Sequence, residues 1–164
     1  MRCGRYLAIV LLAGLVLAAG PARAAPAGAA GDVGLVVSGK VAGGRQLLSM
    51  QDLGAAGVNE VVARVPWARG TARFAGLPLR HLLAMVSASG TSIEARDGRG
   101  NRTNLSIEEA LARNALIAIS HEGEPIAEGG SGPYWLIYPE PEGAGRRSGL
   151  GPPPLPRLLE LRIH

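Results

Sequence analysis

A glycine-rich loop carries the first group that could act as a nucleophile. It reads Gly129-Gly130-Ser131-Gly132-Pro133. Serine hydrolases place their nucleophile in a G-x-S-x-G turn between a strand and a helix, whereas here Pro133 replaces the last glycine and a strand is predicted to follow. We therefore favour a glycine turn that leads into a strand. The alternative for Gly130, Ser131 and Gly132 is an anion site formed by exposed backbone N–H groups.

An acidic turn holds the only local cluster of metal-ligating residue types. His121 is followed by Glu122 and Glu124, while His81 and His164 stand apart from such residues. A metal site needs several converging ligands, and adjacent residues of a strand point to opposite faces. The spacing therefore favours a solvated turn, and we predict no metal site.

Two further candidates are cationic or aromatic. Arg146 and Arg147 are adjacent in a segment rich in Gly and Pro, residues 140–156. Paired arginines can grip a phosphate or carboxylate, although arginines of this kind are more often simply solvated. Trp67 follows Pro66, where a strand is predicted to end. It either lines a pocket or caps the core, and the sequence leaves both readings open.

The N-terminus has the pattern of a secretory signal peptide. Arg2 and Arg5 precede an apolar run, residues 6–19, which is shorter than the roughly 20 residues of a membrane-spanning helix. Small residues at 22 and 24 suit cleavage after Ala24, which favours a cleaved signal over the alternative of an uncleaved membrane anchor. We predict a signal peptide over 1–24, a flexible Ala/Gly/Pro-rich leader over 25–32 and a single domain over 33–164. The expected location is the periplasm or the exterior, with no membrane span after cleavage.

Cleavage would remove most of the apparent basicity. The full chain carries 17 basic and 13 acidic residues, and three of the basic ones, at positions 2, 5 and 23, lie in the signal. The remaining charge of about +1 gives no electrostatic case for nucleic acid or an anionic membrane as a partner. The only cysteine, Cys3, also leaves, so the mature chain has neither a disulfide nor a thiolate ligand.

Strand signals recur along the domain. β-Branched or apolar runs ended by turn residues predict strands at 33–39, 58–65, 91–95, 115–120 and 134–138, and alternation predicts a closing strand at 158–163. Residues 97–100 read as a turn. The run 115–120 is wholly apolar, which is typical of a strand buried on both faces.

Helix signals are few and short. A capping pattern at Ser49 and Asp52 predicts one helical turn. Ser106 and Glu109 predict a capping box at the start of a second helix, which we expect to end near Asn114. The clearest helix begins at Pro78, followed by Leu at 79, 82 and 83 and Val at 86 on one face. Short helices among many strands predict an α+β fold with a mixed sheet.

Several stretches, in order, resemble a known family. Phe74–Leu83 is similar to the "F-x-G-V-P-L-x-x-L-L" segment of sulfite-oxidase-like, molybdopterin-binding oxidoreductase domains. Residues 104–110 and 116–118 resemble the helix and strand that follow, and His121–Ile126 fits the next turn. Gly132–Pro139 resembles the "G-P-L-W-x-I-Y-P" of small secreted members. The resemblance runs from about Val33 to His164 and implies the sulfite-oxidase molybdopterin-domain fold.

The resemblance also implies a chemistry that this chain does not fully carry. Enzymes of the family hold molybdenum through a cysteine thiolate placed before the Phe74-type segment, and a basic cluster binds the phosphate end of the cofactor. Arg146 and Arg147 are the nearest counterparts of that cluster, but the thiolate has none. The candidate residues for a pterin-like or anionic ligand are Trp67, His121, Gly130, Ser131, Gly132, Arg146 and Arg147.

Three functions remain open from the sequence. The leading one is an exported, non-catalytic binding or partner module that keeps the fold without the metal-holding thiolate. The second is a molybdopterin-dependent oxidoreductase that holds its metal without cysteine. The third is a structural or sensory partner of a membrane protein.

Overall fold

The computed structural model describes residues 34–66, 70–126, 134–139 and 153–164. Within them ten strands form one mixed sheet with three short helices, so the predicted α+β class is confirmed. None of these helices reaches the length and apolarity that crossing a bilayer would require. The elements are β1 (Leu35–Gly39), β2 (Arg45–Leu48), α1 (Met50–Ala55), β3 (Asn59–Arg64), β4 (Thr71–Pro78), α2 (Leu79–Met85), β5 (Ser92–Asp97), β6 (Arg102–Ser106), α3 (Ile107–Ala112), β7 (Leu116–His121), β8 (Glu124–Pro125), β9 (Tyr134–Ile137) and β10 (Leu155–Ile163).

Strand β10 joins the two halves of the sheet. Its last residues pair in parallel with β1 and antiparallel with β5, which extends the sheet to β2 and β6. Its first residues pair antiparallel with β9, which leads through β7 and β4 to β3. Leu158 is paired with both Tyr134 of β9 and Asp97 of β5. The shape of β10 therefore sets how the two halves meet.

Two register shifts keep one face of β10 in the core. They fall between Leu155 and Leu158 and between Leu158 and Glu160. Arg157, at the first shift, has φ +61°, which is uncommon outside glycine. Leu155, Leu158, Leu161 and Ile163 all lie in one core cluster as a result. The predicted simple alternation over 158–163 is therefore wrong at its start, because a bulge resets which face a residue occupies.

The sheet separates two apolar clusters. The larger contains Leu53 of α1, Leu79, Leu82 and Leu83 of α2, and Ala110 of α3, so all three helices pack on this side. The smaller is built from residues of β3, β4, β7 and β9 together with Val65 and Ile126. Successive residues of β7 alternate between the clusters: Leu116 and Ala118 join the smaller one and Ile117 the larger. The prediction of a strand buried on both faces is thus confirmed for 116–118.

Local signals in the sequence explain most helix and turn boundaries. Ser49 and Asp52 form the predicted capping box. Ser106 Oγ accepts the N–H of Glu109, which is one half of the other predicted box. Asn114 has φ +51° directly after α3, as its role as a helix stop requires. The Asp97 carboxylate accepts the N–H groups of Arg99 and Asn101 at 2.9 and 2.8 Å, which fixes the predicted turn.

The sequence does not predict strands β2, β4, β6 and β8. Residues 71–78 form β4, and Pro78 is the N-cap of α2 rather than its first residue. β4 pairs with β3, which directly precedes it, and with β7. The pairing with β7, which lies far along the chain, is not visible in the local pattern.

We expect Leu158→Ala to lower the free energy of unfolding by about 2–5 kcal/mol, because it opens a cavity where the two halves of the sheet meet. Leu158 has no exposed surface, whereas Val62 on β3 is 54% exposed. Val62→Ala is therefore the matched control, with an expected change below about 0.5 kcal/mol. Urea denaturation measures both. Equal losses in the two variants would contradict the junction role of Leu158.

Candidate functional site

His121 is the one sequence-predicted site residue that lies within the described ranges. It is the last residue of β7 and is half-buried. Trp67, Gly130, Ser131, Gly132, Arg146 and Arg147 lie outside the described residues. Of the predicted site, the structure therefore describes only His121 and its neighbours.

A tight hairpin follows His121 and uses the acidic residues structurally. Glu122 and Gly123 connect β7 to β8 with φ of +53° and +85°, as a two-residue type I′ turn requires. The Glu122 carboxylate accepts the N–H of Arg73 at 2.7 Å, and the Glu122 N–H donates to the Arg73 carbonyl at 2.8 Å. Glu122 is thus tied to β4 and does not turn toward the imidazole.

A bulge determines which face His121 occupies. Gly76 of β4 pairs with Ala118, but Ala75 pairs with Ser120, so β7 has one extra residue at Ile119. In a regular strand Ser120 would share the face of Ala118. The extra residue shifts the alternation, and His121 lies on that face instead.

Glycine is required at position 76 for this arrangement. A Cβ there would overlap the Ile117 carbonyl oxygen and lie 2.6 Å from Ala118 Cα. Only glycine permits such a close approach of the two backbones. The glycine of the Phe-x-Gly segment thus has a geometric role next to the histidine.

Three aromatic rings meet on this face. The His121 ring lies 5.0 Å from Phe74 and 5.7 Å from Trp135, and Phe74 lies 6.0 Å from Trp135, measured between ring centroids. The tilts of 31°, 42° and 57° are within the range that aromatic pairs prefer over face-to-face stacking. Phe74 is fully buried, while His121 and Trp135 are half-buried. The imidazole therefore packs against two tilted aromatic rings.

A second feature, which the sequence reading missed, lies at Tyr138 just after β9. Tyr138 is only 4% exposed, and Arg113 places its guanidinium carbon 4.3 Å from the centroid of the Tyr138 ring. Its hydroxyl is buried with no hydrogen-bond partner among the described residues. Burial raises the pKa of the Tyr138 phenol to about 12, against the opposing effect of the Arg113 cation. The contact joins residues 25 positions apart, so only the folded chain reveals it.

The described residues do not offer a ligand set for molybdenum. No three residues among His, Cys, Asp and Glu in the described ranges converge as metal ligands would. His121 packs against two aromatic rings, and the Glu122 carboxylate binds a backbone N–H. The only cysteine in the sequence, Cys3, lies outside the described residues. The His121 imidazole and the Glu122 carboxylate therefore do not fit a site that holds molybdenum through a thiolate.

Comparison with known families assigns the fold. Residues 32–146 match the family described as "Oxidoreductase molybdopterin binding domain". The chain belongs to this family. The match includes the Phe74-type segment, the aromatic cluster and the position of Arg146. The recognition made from the sequence is therefore confirmed. No curated protein matches the chain.

A solved structure supports the same fold. The sulfane dehydrogenase SoxCD from Paracoccus pantotrophus aligns with a TM-score of 0.57 at 18% identity. The alignment covers 82% of this chain and 38% of that one. This chain therefore spans well under half the length of that enzyme chain. At this identity the likeness concerns the fold alone, a mixed sheet with few short helices.

We expect Gly76→Ala to lower the free energy of unfolding by about 1–3 kcal/mol and to displace the His121 ring, because the added methyl forces β4 and β7 apart. Urea denaturation and the chemical shifts of the His121 ring protons measure the two effects. Gly54 in α1 has open space around its Cα, so Gly54→Ala is the control and should be neutral or stabilising. Unchanged His121 shifts in Gly76→Ala would contradict the role of the bulge.

We expect the protein to lose stability as the pH rises from about 10 toward 12. The Tyr138 pKa is raised to about 12 in the folded state, so its contribution is complete below the unfolded pKa and declines above it. Tyr138→Phe should remove this pH dependence and be neutral or slightly stabilising at pH 7, because the buried hydroxyl lacks a partner among the described residues.

Denaturation series at several pH values measure this effect, with Val62→Ala at an exposed position as the control. Val62→Ala removes no ionisable group and should leave the alkaline dependence in place. A wild-type dependence that survives Tyr138→Phe would show that another group carries it.

Proposed function

We propose that the protein is an exported, non-catalytic binding or partner module built on a molybdopterin-oxidoreductase-like fold. One observation carries this proposal: residues 32–146, which match the family, contain no cysteine. Enzymes with this fold are expected to hold molybdenum through a cysteine thiolate. Cys3 precedes the matched residues and lies in the predicted signal peptide.

The neighbourhood of His121 supports a binding role over a metal-holding one. An imidazole and a carboxylate lack the soft sulfur donor of a thiolate, so they do not take its place as a metal ligand. His121 and Trp135 instead offer half-buried ring surface beside a buried Phe74. The face of one such half-buried ring suits a planar ligand such as a pterin, which can stack on it.

The remaining expectations complete the proposal. The signal peptide spans 1–24, the leader 25–32 and the domain 33–164, and the protein acts in the periplasm or outside the cell. Gly130, Ser131 and Gly132 would give backbone N–H groups to an anionic end of the ligand, with Arg146 and Arg147 as its counter-charges and Trp67 as a further aromatic surface.

The family membership itself favours a second candidate function. A molybdopterin-dependent oxidoreductase would hold the cofactor through its pterin and phosphate parts alone, without a protein thiolate. A third candidate, a structural or sensory partner of a membrane protein, needs no small ligand at all.

Metal analysis of protein purified from the periplasm tests the proposal. We expect molybdenum far below one atom per chain, because no thiolate is present in the matched residues. The cells must be supplied with molybdate and must make the cofactor, and a thiolate-containing family member expressed in parallel serves as the positive control. Stoichiometric molybdenum in this protein would reject the proposal in favour of the oxidoreductase.

A thermal-shift series with pterins and small oxyanions then separates the first and third candidates. A ligand that binds only the folded state raises the apparent melting temperature with its concentration. A concentration-dependent rise supports the binding module. No shift with any of them supports the pure partner role.

A further inference from the structure

The half of the sheet built from β2, β1, β10, β5 and β6 has one face in the core and one face in solvent. Leu35, Val37, Leu161 and Ile163 point into the larger cluster, where the helices lie. Alternate residues of the same strands point the other way. We call the outer face the surface formed by Val36, Ser38, Arg45, Leu47 and Arg162.

Strand register arranges the outer face in two parallel rows. Ser38 is paired with Arg45 of β2 on one side and with Arg162 of β10 on the other. The two arginines are therefore two strand spacings apart, about 10 Å between their Cα atoms. In the neighbouring row Val36 is paired with Leu47 of β2 and with Glu160 of β10, and Arg162 is paired in turn with Glu94 of β5. Two arginines thus flank a hydroxyl beside a small apolar strip, and each row also contains one glutamate.

The nearby glutamates are already engaged by other arginines. Glu160 lies 3.8 Å from Arg96 and accepts the Ser38 hydroxyl at 3.2 Å. Glu94 lies 3.4 Å from Arg102. Arg45 and Arg162 have neither an ion pair nor a hydrogen bond with any residue that the structure describes. Both are exposed, so two positive charges remain available on this face.

The apolar strip faces solvent. Leu47 is 66% exposed, which is a high value for a leucine. Its side chain lies against Gly34, where an added Cβ would be 2.7 Å from the Leu47 Cδ1. A partner that covers Leu47 and Val36 would remove this apolar surface from water.

We propose that the outer face docks an acidic protein surface that presents two carboxylates about 10 Å apart around an apolar side chain. The carboxylates would pair with Arg45 and Arg162, and the apolar group would cover Leu47 and Val36. A dense row of phosphates fits less well than two spaced carboxylates, because Glu94 and Glu160 lie on the same face next to Arg162 and Val36 and would repel the additional negative charges. The mixed charge therefore favours a protein over a nucleic acid or a membrane.

This inference goes beyond the proposed function. None of the strands that form the outer face carries His121 or the aromatic cluster. It holds whether or not the protein binds molybdenum, so the metal analysis and the docking test can fail independently.

Titration of the isotope-labelled mature chain with a synthetic acidic peptide tests the docking. The probe contains glutamates and leucines, and a second peptide has glutamine in place of every glutamate. We expect backbone amide shifts centred on Ser38, Arg45 and Arg162, and binding that weakens from about 0.05 M to about 0.5 M salt. Binding of the glutamine peptide should be at least about tenfold weaker.

Substitution of the arginines tests which side chains bind the acidic peptide. Arg45→Glu with Arg162→Glu should weaken binding of the acidic peptide about tenfold or more. The matched control, Arg73→Glu with Arg80→Glu, changes net charge equally at exposed positions on β4 and α2 and should bind almost as the wild type does. The milder pair Arg45→Gln with Arg162→Gln gives the same test if the charge reversal impairs folding.

Four results would overturn the proposal. The first two are equal weakening in the control variant and equal affinity for the glutamine peptide. The third is tighter binding to phosphatidylglycerol vesicles than to the acidic peptide, which would assign the face to a membrane instead of a protein. The fourth is displacement of the peptide by inorganic phosphate at matched ionic strength, which would make the face a general anion site.

Discussion

The two pairing edges of β10 are the constraint on which the rest of the structure depends. Every buried N–H and C=O group of a central strand must find a partner, and β10 finds its partners on β9, β1 and β5 in different parts of its length. Its two register shifts let one strand serve both halves of the sheet while its leucines stay in the larger core. A straight, regular β10 would turn Leu158 or Leu161 toward solvent.

The same device recurs at the aromatic cluster. A single extra residue in β7 moves His121 onto the face of Phe74 and Trp135, and Gly76 leaves the space that this needs. Bulges at both places decide which side chains meet. The outer face depends in turn on the regular part of β10, where Glu160 and Arg162 alternate with buried Leu161.

The sequence predicted the features that local chemistry determines. Ser49 with Asp52, Asn114, the Asp97 turn and the leucines of α2 each carry their own signal, and the structure has all of them. The sequence did not predict β4, because one of its two pairing partners, β7, lies far along the chain. It also missed the bulges at Ile119 and Arg157, which simple alternation does not contain, and the Arg113–Tyr138 contact, which only folding creates. Of the candidate site, His121 alone could be compared with the described structure.

The described sheet does not depend on a thiolate, and a fold does not by itself determine a chemistry. Native mass spectrometry of the protein expressed with its proposed signal peptide tests this account most directly, since it reports processing and bound groups together. The account predicts a chain that begins at Ala25 and carries no molybdenum. A mass that includes a molybdenum-bearing pterin would contradict it.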